Sequence, residues 1–171
     1  YFNGISSKTF ARALEYIPVE NTYFDAKTPG GHVVEVSCLH RDHEQAQNVA
    51  ATDILLGKGI VRKATLLPDI HKDDVAVKRR FYPAGELPPD PLKNADAIFD
   101  GHVFEIKQTT SNNMVRNINK AAQQARRVVV RLTTGGKNQN YRIRERATAA
   151  KRDNRLDELI VIFPDGEVER F

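Results

Sequence analysis

Residues 96–107 read DAIFDGHVFEIK, and this stretch predicts a β-hairpin. The Asp100-Gly101 pair is a strong signal for a tight two-residue turn. Apolar-rich segments flank the turn at residues 97–99 and 102–108, and both have lengths typical of strands. The hairpin decides the fold class, because it links a helical pattern before it to a helix–strand unit after it.

The side chains of the predicted hairpin separate into two faces, since successive strand residues point in opposite directions. Glu105 and Lys107 therefore share one face, and Phe104 and Ile106 share the other. Asp96 begins the first strand, and the turn folds it back beside Glu105. The sequence thus predicts two carboxylates and an amine that converge on one side of a sheet.

This group has the chemistry for metal-assisted hydrolysis of a phosphodiester bond. Asp96 and Glu105 offer the hard oxygen ligands that a divalent ion prefers. The ion would polarise the phosphate and lower the pKa of an attacking water. Lys107 would orient that water or balance the charge that develops on the phosphate. Glu-x-Lys is also a common pattern on exposed hairpins, so the rest of the chain has to distinguish the two interpretations.

Patterns on both sides of the hairpin predict an α/β fold, in which a mixed central β-sheet is flanked by helices. Before the hairpin, a helix capped by Asp42 ends at Gly57-Lys58-Gly59 and precedes a strand. The predicted order of elements is α-β-β-β-α-β-α-β-β. After the hairpin, the sequence predicts helices at 112–127 and 141–155 and strands at 128–132, 159–163 and 167–171.

The first 35 residues carry weaker patterns, and we expect them to be an N-terminal extension or entry segment before a domain that spans residues 36–171. Ser7–Tyr16 favours a short helix, and Asn21–Gly31 favours a turn-rich connection. The chain does not begin with Met and has no signal peptide, so we expect an excised domain or a processed fragment.

Composition excludes two classes of protein. No apolar run approaches the ~18 residues that a membrane span requires. A single cysteine, Cys38, rules out an internal disulfide and a cysteine-rich zinc cluster. The protein is therefore expected to fold without oxidation.

Positive charge is concentrated in one part of the chain, although the net charge is only +4. Between residues 114 and 155 only Glu145 and Asp153 are acidic. Such a block suits a polyanion, because neutralised phosphates release counterions, although a solvated basic helix face would look the same. The basic residues of the block are Arg116, Lys120, Arg126, Arg127, Arg131, Lys137, Arg142, Arg144, Arg146, Lys151, Arg152 and Arg155.

The order of these segments resembles the αβββαβ core of PD-(D/E)xK nucleases. More specifically, residues 38–171 resemble the C-terminal tRNase toxin domains of CdiA-type contact-dependent inhibition proteins, which also occur as toxin tails on phage head-morphogenesis proteins. The resemblance rests on HEQAQNVAATDILLGKG followed by IVRKATLLPD, then NADAIFDGHVFEIKQ, INKAAQQARRVVVRL and ELIVIFPDGEVERF.

The resemblance implies a catalytic set of Glu44, Asp96, Glu105 and Lys107, in which Asp96 and Glu105 bind the metal. The metal would be Mg²⁺ or Mn²⁺, with Zn²⁺ as a further candidate. The family's acidic residue on the first helix corresponds to Glu44, and its glutamine before the apolar strand to Gln124. The expected nucleic-acid contacts are Gln124, Thr109, Lys78, Arg79, Arg80, Arg126, Arg142 and Arg144.

The resemblance also implies a biological setting. The substrate would be RNA, and specifically tRNA, and a cognate immunity protein, expected to be acidic, would protect the producing cell. The domain would be delivered from a larger secreted or cell-surface protein and would act in the cytoplasm of a target bacterium. The pattern departs from the family name at Ala95, where proline would stand, and an alternative alignment uses Asp100 instead of Asp96 as ligand.

Three other functions stay open from the residues alone. A DNase could use the same core, since nothing in the residues separates RNA from DNA. A metal-independent, barnase-like ribonuclease would use His102, Lys107 and Thr109, although His102 lies on the face opposite Glu105. A non-catalytic nucleic-acid-binding module would carry the carboxylates only as surface groups. Thr110 and Ser111 could contact phosphate or cap the next helix.

Overall fold

Eight strands pair into one mixed sheet, and their spatial order follows the chain from the first to the last. The computed structural model describes residues 12–171. Neighbouring strands are parallel at β2–β3, β5–β6 and β6–β7, and antiparallel at the other four pairings. The strands are β1 (Tyr23–Lys27), β2 (Val33–Ser37), β3 (Ala64–Leu66), β4 (Ala97–Phe99), β5 (His102–Thr109), β6 (Arg127–Leu132), β7 (Glu158–Ile162) and β8 (Val168–Arg170).

Four α-helices connect these strands, and the prediction of a mixed sheet flanked by helices is confirmed. They are α1 (Asp42–Gly57), α2 (Val75–Arg79), α3 (Met114–Ala121) and α4 (Asn140–Asp153). The order α1-β3-β4-β5-α3-β6 contains the predicted αβββαβ succession, with the short α2 added between β3 and β4. Single 3₁₀ turns lie at Val19–Thr22, Ser111–Asn113 and Lys137–Gln139. No helix within residues 12–171 has the length and apolar character needed to cross a bilayer.

The two faces of the sheet are covered by different helices. On one face, Leu55 of α1 packs in a buried cluster with Phe104 and Ile106 of β5. On the other face, Ile118 of α3 and Ile143 of α4 pack in a second cluster. Strand β6 contributes to both clusters, which explains its apolar run at residues 128–130, since a central parallel strand is buried on both sides.

Helix α1 matters most for the site, because its N-terminus lies near the start of β4. Asp42 is its first residue and Arg41 is the N-cap, with no side-chain cap, so the prediction that Asp42 caps the helix was wrong. Asp42 and Glu44 in the first turn are still favourable, since carboxylates there oppose the helix dipole. The helix ends as predicted, with Gly59 at a φ of 67°.

Strand β1 lies where the sequence predicted only a turn-rich connection, and that prediction was wrong. Thr28–Gly31 forms the turn to β2, and Asp53 of α1 holds it by accepting hydrogen bonds from Thr28 Oγ1 and Gly30 N. The predicted domain boundary between residues 35 and 36 falls inside β2, which pairs with β3. Of the predicted helix Ser7–Tyr16, residues 7–11 lie outside the described part, and residues 12–14 are helical.

A third buried cluster lies beneath the long connection between β3 and β4. Ile70, Phe81 and Tyr82 from this connection pack with Val103 of β5. Tyr82 also accepts a hydrogen bond from Ala95 N through its hydroxyl oxygen, at 2.9 Å. The connection is thus folded against the sheet directly before the chain enters β4.

Candidate functional site

The β4–β5 turn fixes the register that aligns the predicted site residues. Asp100 and Gly101 have positive φ of 50° and 88°, as a tight hairpin turn of this kind requires. Asp100 Oδ1 accepts hydrogen bonds from the backbone N of Arg62 and Lys63, at 3.1 and 2.9 Å. Asp100 is therefore bound at the turn, at the other end of β4 from Asp96.

Asp96 and Glu105 form the buried centre of the site. Asp96 donates its backbone N–H to Phe104 O at 3.2 Å, which places its side chain beside β5. Asp96 Oδ2 accepts a hydrogen bond from Ile106 N at 2.9 Å. The relative exposure is 8% for Asp96 and 1% for Glu105. Two carboxylates are thus held next to each other away from bulk water.

One oxygen of Glu105 is held by two donors and the other by none. Lys107 Nζ and Gln124 Nε2 both donate to Glu105 Oε1. Glu105 Oε2 is buried and has no hydrogen-bond partner among the described residues. Gln124 comes from the short loop between α3 and β6, where the resemblance placed it. An unpartnered buried oxygen is costly, and a bound water or ion is one partner that can relieve the cost.

Glu44 approaches the same centre from the first turn of α1. Its Oε2 lies 3.5 Å from Arg41 Nη1 and has no hydrogen-bond partner among the described residues. Its charge acts on both Asp96 and Lys107. The structure therefore brings Asp96, Glu105 and Lys107 together, and Glu44 acts on two of them through its charge without a direct contact.

The two buried carboxylates of the centre, Asp96 and Glu105, both have raised pKa values. Burial raises the pKa of Asp96, and Lys107 only partly offsets this. Burial, and then repulsion from Asp96, raises the pKa of Glu105 well above its usual value. Burial would lower the pKa of Lys107, but attraction to Glu105 and Asp96 outweighs it and raises that pKa. The centre would be stabilised by a further positive charge.

A divalent ion fits this charge and donor set. Asp96 and Glu105 are carboxylates, and the free oxygen of Glu105 needs a partner. Within residues 12–171, no group of three or more His, Cys, Asp or Glu side chains has metal-holding geometry. A site with two carboxylates suits Mg²⁺, which usually keeps several waters and takes its remaining ligands from substrate phosphates.

The predicted nucleic-acid contacts fall into two groups, and the first is already bonded within the protein. Lys78 is fully buried, and its Nζ donates to Pro91 O and Lys93 O at 2.9 and 2.7 Å. Arg80 donates to the carbonyls of Leu14 and Ile17. A buried ammonium bonded to two carbonyls cannot reach a phosphate, so the expected role of Lys78 does not agree with its placement.

Two further predicted nucleic-acid contacts, Arg144 and Thr109, are also bonded within the protein. Arg144 pairs with Glu167 and Glu169. Thr109 Oγ1 accepts a hydrogen bond from Asn117 Nδ2 at 2.9 Å.

The second group is exposed. Arg79 and Arg142 are exposed, and the side chain of Arg126 is 69% exposed. Neither Thr110 nor Ser111 caps the following helix with its side chain, so that prediction was wrong.

His40, His43 and His102 do not form a metal site or a catalytic group beside Asp96 and Glu105. His40 is 6% exposed, with Nδ1 donating to Leu67 O at 2.6 Å and Nε2 beside Asn48 Nδ2 at 3.1 Å. His43 is 78% exposed, so the two do not converge on a metal. His102 pairs with Glu86 at 3.0 Å, away from Glu105.

Sequence reasoning missed three polar residues beside Asp96. Arg41, Asp69 and Asn94 line a cleft together with Asp96. Arg41 pairs with Asp69, whose Oδ1 also accepts a hydrogen bond from Asn94 Nδ2 at 2.7 Å. These residues come from three separate loops, and no spacing or periodicity in the sequence links them.

Two comparisons with known proteins gave a match. The search of solved structures gives a CdiA-CT/CdiI toxin and immunity complex from Burkholderia pseudomallei, at 19% identity and a TM-score of 0.43, covering 77% of this chain and 89% of that one. No curated protein matches. The sequence model for the contact-dependent growth inhibition CdiA C-terminal domain matches residues 93–168, a little under half of the chain. The matched segment contains Asp96, Glu105, Lys107 and Gln124 but not Glu44, so these four residues lie in the part of the chain that is similar to the CdiA C-terminal domain.

Proposed function

We propose that the protein is a toxin of contact-dependent growth inhibition that acts as a metal-dependent endonuclease on RNA, and specifically on tRNA. The observation that carries the proposal is the buried convergence of Asp96, Glu105 and Lys107, in which one Glu105 oxygen has no hydrogen-bond partner within residues 12–171. The match of residues 93–168 to the CdiA C-terminal domain supports the toxin assignment. The choice of tRNA rests on the resemblance to the tRNase members of that family.

Each side chain has a defined task in this mechanism. Asp96 and Glu105 would hold Mg²⁺ or Mn²⁺, which supplies Lewis acidity toward the phosphate when bound. Lys107 holds Glu105 in place and presents positive charge where the attacked phosphate gains negative charge. Gln124 positions Glu105 by donating to the same oxygen as Lys107. Glu44 adds a third carboxylate, which orients water at the edge of the centre.

The arrangement also supports placement in the PD-(D/E)xK superfamily. In the described structure, an acidic residue on α1 precedes Asp96 at the start of β4 and the Glu-x-Lys pair on β5. A glutamine then precedes the central strand β6. The order of elements and the types of these residues follow the superfamily pattern, apart from Ala95, where proline would stand.

Cleavage of total tRNA by the purified protein is the direct test. We expect cleavage with Mg²⁺ or Mn²⁺ and complete loss in excess EDTA, with recovery on adding back the metal. Duplex DNA and single-stranded DNA serve as matched substrates in the same buffer. Cleavage that persists in EDTA would overturn the metal mechanism in favour of a histidine-dependent ribonuclease, and binding of tRNA without cleavage under any metal would favour a binding module.

Exposed arginines provide the proposed grip on the nucleic-acid backbone, and we propose that the acidic immunity protein covers the same charges. Charge reversal of Arg126 and Arg142 together should weaken tRNA binding. It should also reduce the slope of log K against log salt concentration by about two. The same double variant should also bind the acidic immunity protein more weakly, since charge complementarity accelerates such association.

The control for this prediction is charge reversal at Lys63, whose side chain is 74% exposed at the β4–β5 turn. Binding isotherms over a range of salt concentrations measure the slope, and co-purification measures the protein partner. An unchanged slope in the double variant would remove these arginines from the interface. A neighbouring acidic protein that does not co-purify with the wild-type domain would argue against the immunity proposal.

A further inference from the structure

Arg41 is held rigidly beside the catalytic centre. Its Nε lies 2.9 Å from Asp69 Oδ2, and its Nη2 donates to Asp69 Oδ1 at 3.1 Å. This two-point contact fixes the plane of the guanidinium, as paired Arg–carboxylate contacts do. Asp69 is itself fixed, because Asn94 donates to its carboxylate and its backbone N–H donates to Leu39 O at 2.9 Å.

The third nitrogen of Arg41, Nη1, makes an ion pair with Glu44 but no hydrogen bond to it. Nη1 lies 3.5 Å from Glu44 Oε2, which has no hydrogen-bond partner among the described residues. The charge of Arg41 is felt by Asp96 as well as by Glu44. Arg41 and Asp96 line the same cleft.

We propose that Arg41 is a substrate-binding residue that donates from Nη1 to a non-bridging oxygen of the attacked phosphate, and that Asp69 and Asn94 position it. This inference rests on the proposed nuclease function, which supplies the phosphate. Arginine suits the task because its guanidinium always carries its charge and its fork stays in plane while one edge is held by a carboxylate. The ammonium of a lysine could supply charge but could not be held by Asp69 in the same way.

Charge balance in the cleft supports the assignment. The cleft and centre contain the carboxylates of Glu44, Asp69, Asp96 and Glu105, and a phosphodiester adds another negative charge. Lys107 is already engaged with Glu105. Arg41 also lines the cleft, and its Nη1 can donate to a phosphate oxygen without giving up an existing hydrogen bond, because its contact with Glu44 at 3.5 Å is an ion pair only.

The test compares Arg41→Lys with Asp69→Asn in the purified full chain. In cleavage of total tRNA with Mg²⁺, we expect kcat to fall about 10²-fold in Arg41→Lys, with KM changed less than about threefold, because the contact strengthens as charge develops on the phosphate. Asp69→Asn keeps Arg41 but loosens it, so an intermediate loss of kcat is expected. Arg131→Lys, on a partly exposed arginine of β6, is the matched control and should cleave like the wild type.

A second measurement does not depend on turnover. Inorganic phosphate is titrated into the wild-type protein in the presence of Mg²⁺ while the Arg41 Nε–H resonance is followed by NMR, its assignment given by its loss in Arg41→Lys. A saturable shift of this resonance, weakened in Asp69→Asn, supports the proposal. Absence of a shift overturns it, as does an Arg41→Lys variant that loses stability but keeps kcat, which would make Arg41 only a structural partner of Asp69.

The two measurements also separate the inference from the function on which it rests. If the wild type cleaves no nucleic acid but Arg41 still binds phosphate, the nuclease proposal fails and the anion site stands. If the wild type cleaves and Arg41 neither binds phosphate nor affects kcat, the nuclease proposal stands and the role of Arg41 is overturned.

Discussion

Glu105→Gln is expected to lower the rate of metal-dependent tRNA cleavage by about 10³-fold, the largest effect on activity that the structure predicts. The amide keeps the volume of the side chain and its contact with Gln124. It removes the negative charge that would hold the metal and fix the Lys107 ammonium. Single-turnover cleavage assays at saturating metal measure the loss directly.

The same substitution should not destabilise the protein at neutral pH. Burial raises the pKa of Glu105 above its value in the unfolded chain. Glu105 therefore favours folding at low pH, where it is protonated, and this contribution is lost as the pH rises through its folded pKa. We expect Glu105→Gln to unfold at a higher temperature than the wild type at neutral pH, with the difference shrinking at acidic pH.

Glu145→Gln, on the exposed face of α4, is the matched control and should change neither activity nor unfolding. A Glu105→Gln variant that cleaves tRNA within about tenfold of the wild-type rate would remove Glu105 from the centre. A variant that unfolds at a lower temperature at neutral pH would show that the carboxylate supports the fold, contrary to the raised pKa.

Lys78→Ala is expected to cause the largest loss of stability, about 3 kcal/mol in the free energy of unfolding. Lys78 has no exposed surface, and its Nζ donates to the carbonyls of Pro91 and Lys93. Truncation leaves both carbonyls without a donor and leaves a cavity along the lost side chain. Burial lowers the pKa of Lys78, which is the expected direction for a desolvated ammonium.

Urea unfolding measures this effect, and two variants separate its causes. Lys78→Met restores most of the buried chain but no donor, so it should recover only the part of the loss that comes from packing. Arg79→Ala, at the next and exposed position of α2, should change the stability by less than about 0.5 kcal/mol. If Lys78→Ala were as stable as Arg79→Ala, the connection before β4 would be held by its apolar residues alone.

The hairpin was predictable because its signals are local. Asp100-Gly101 requires a backbone with positive φ, and the period of two along β5 assigns Glu105 and Lys107 to one face whatever the rest of the chain does. The order of helices and strands followed from the same kind of local period. Strand β1 was missed because its residues are mostly exposed, so no apolar face marks it.

The support around the centre was not predictable, because it depends on contacts between distant loops. Lys78 lies in a Lys-Arg-Arg run that looks like a surface patch, yet the fold buries its ammonium against carbonyls of residues 91 and 93. Arg41 and Asp69 are separated in the chain by all of α1 and all of β3, and only the tertiary fold brings them together. A charged residue in the sequence is therefore a weak indicator of a functional site. It becomes a better one when the strand or helix period also fixes the face to which its side chain points.

Because every strand pairs with its immediate neighbours in the chain, the sheet can be assembled in a single direction. A chain that emerges through a narrow opening from its N-terminus can add each strand to an existing edge as soon as that strand appears. The entropy cost of loop closure grows only slowly with loop length, and pairing between strands that are consecutive in the chain favours rapid folding. The centre needs both Asp96 and Glu105, and Glu105 lies on β5. The two carboxylates therefore come together only after β5 has emerged and the hairpin is complete.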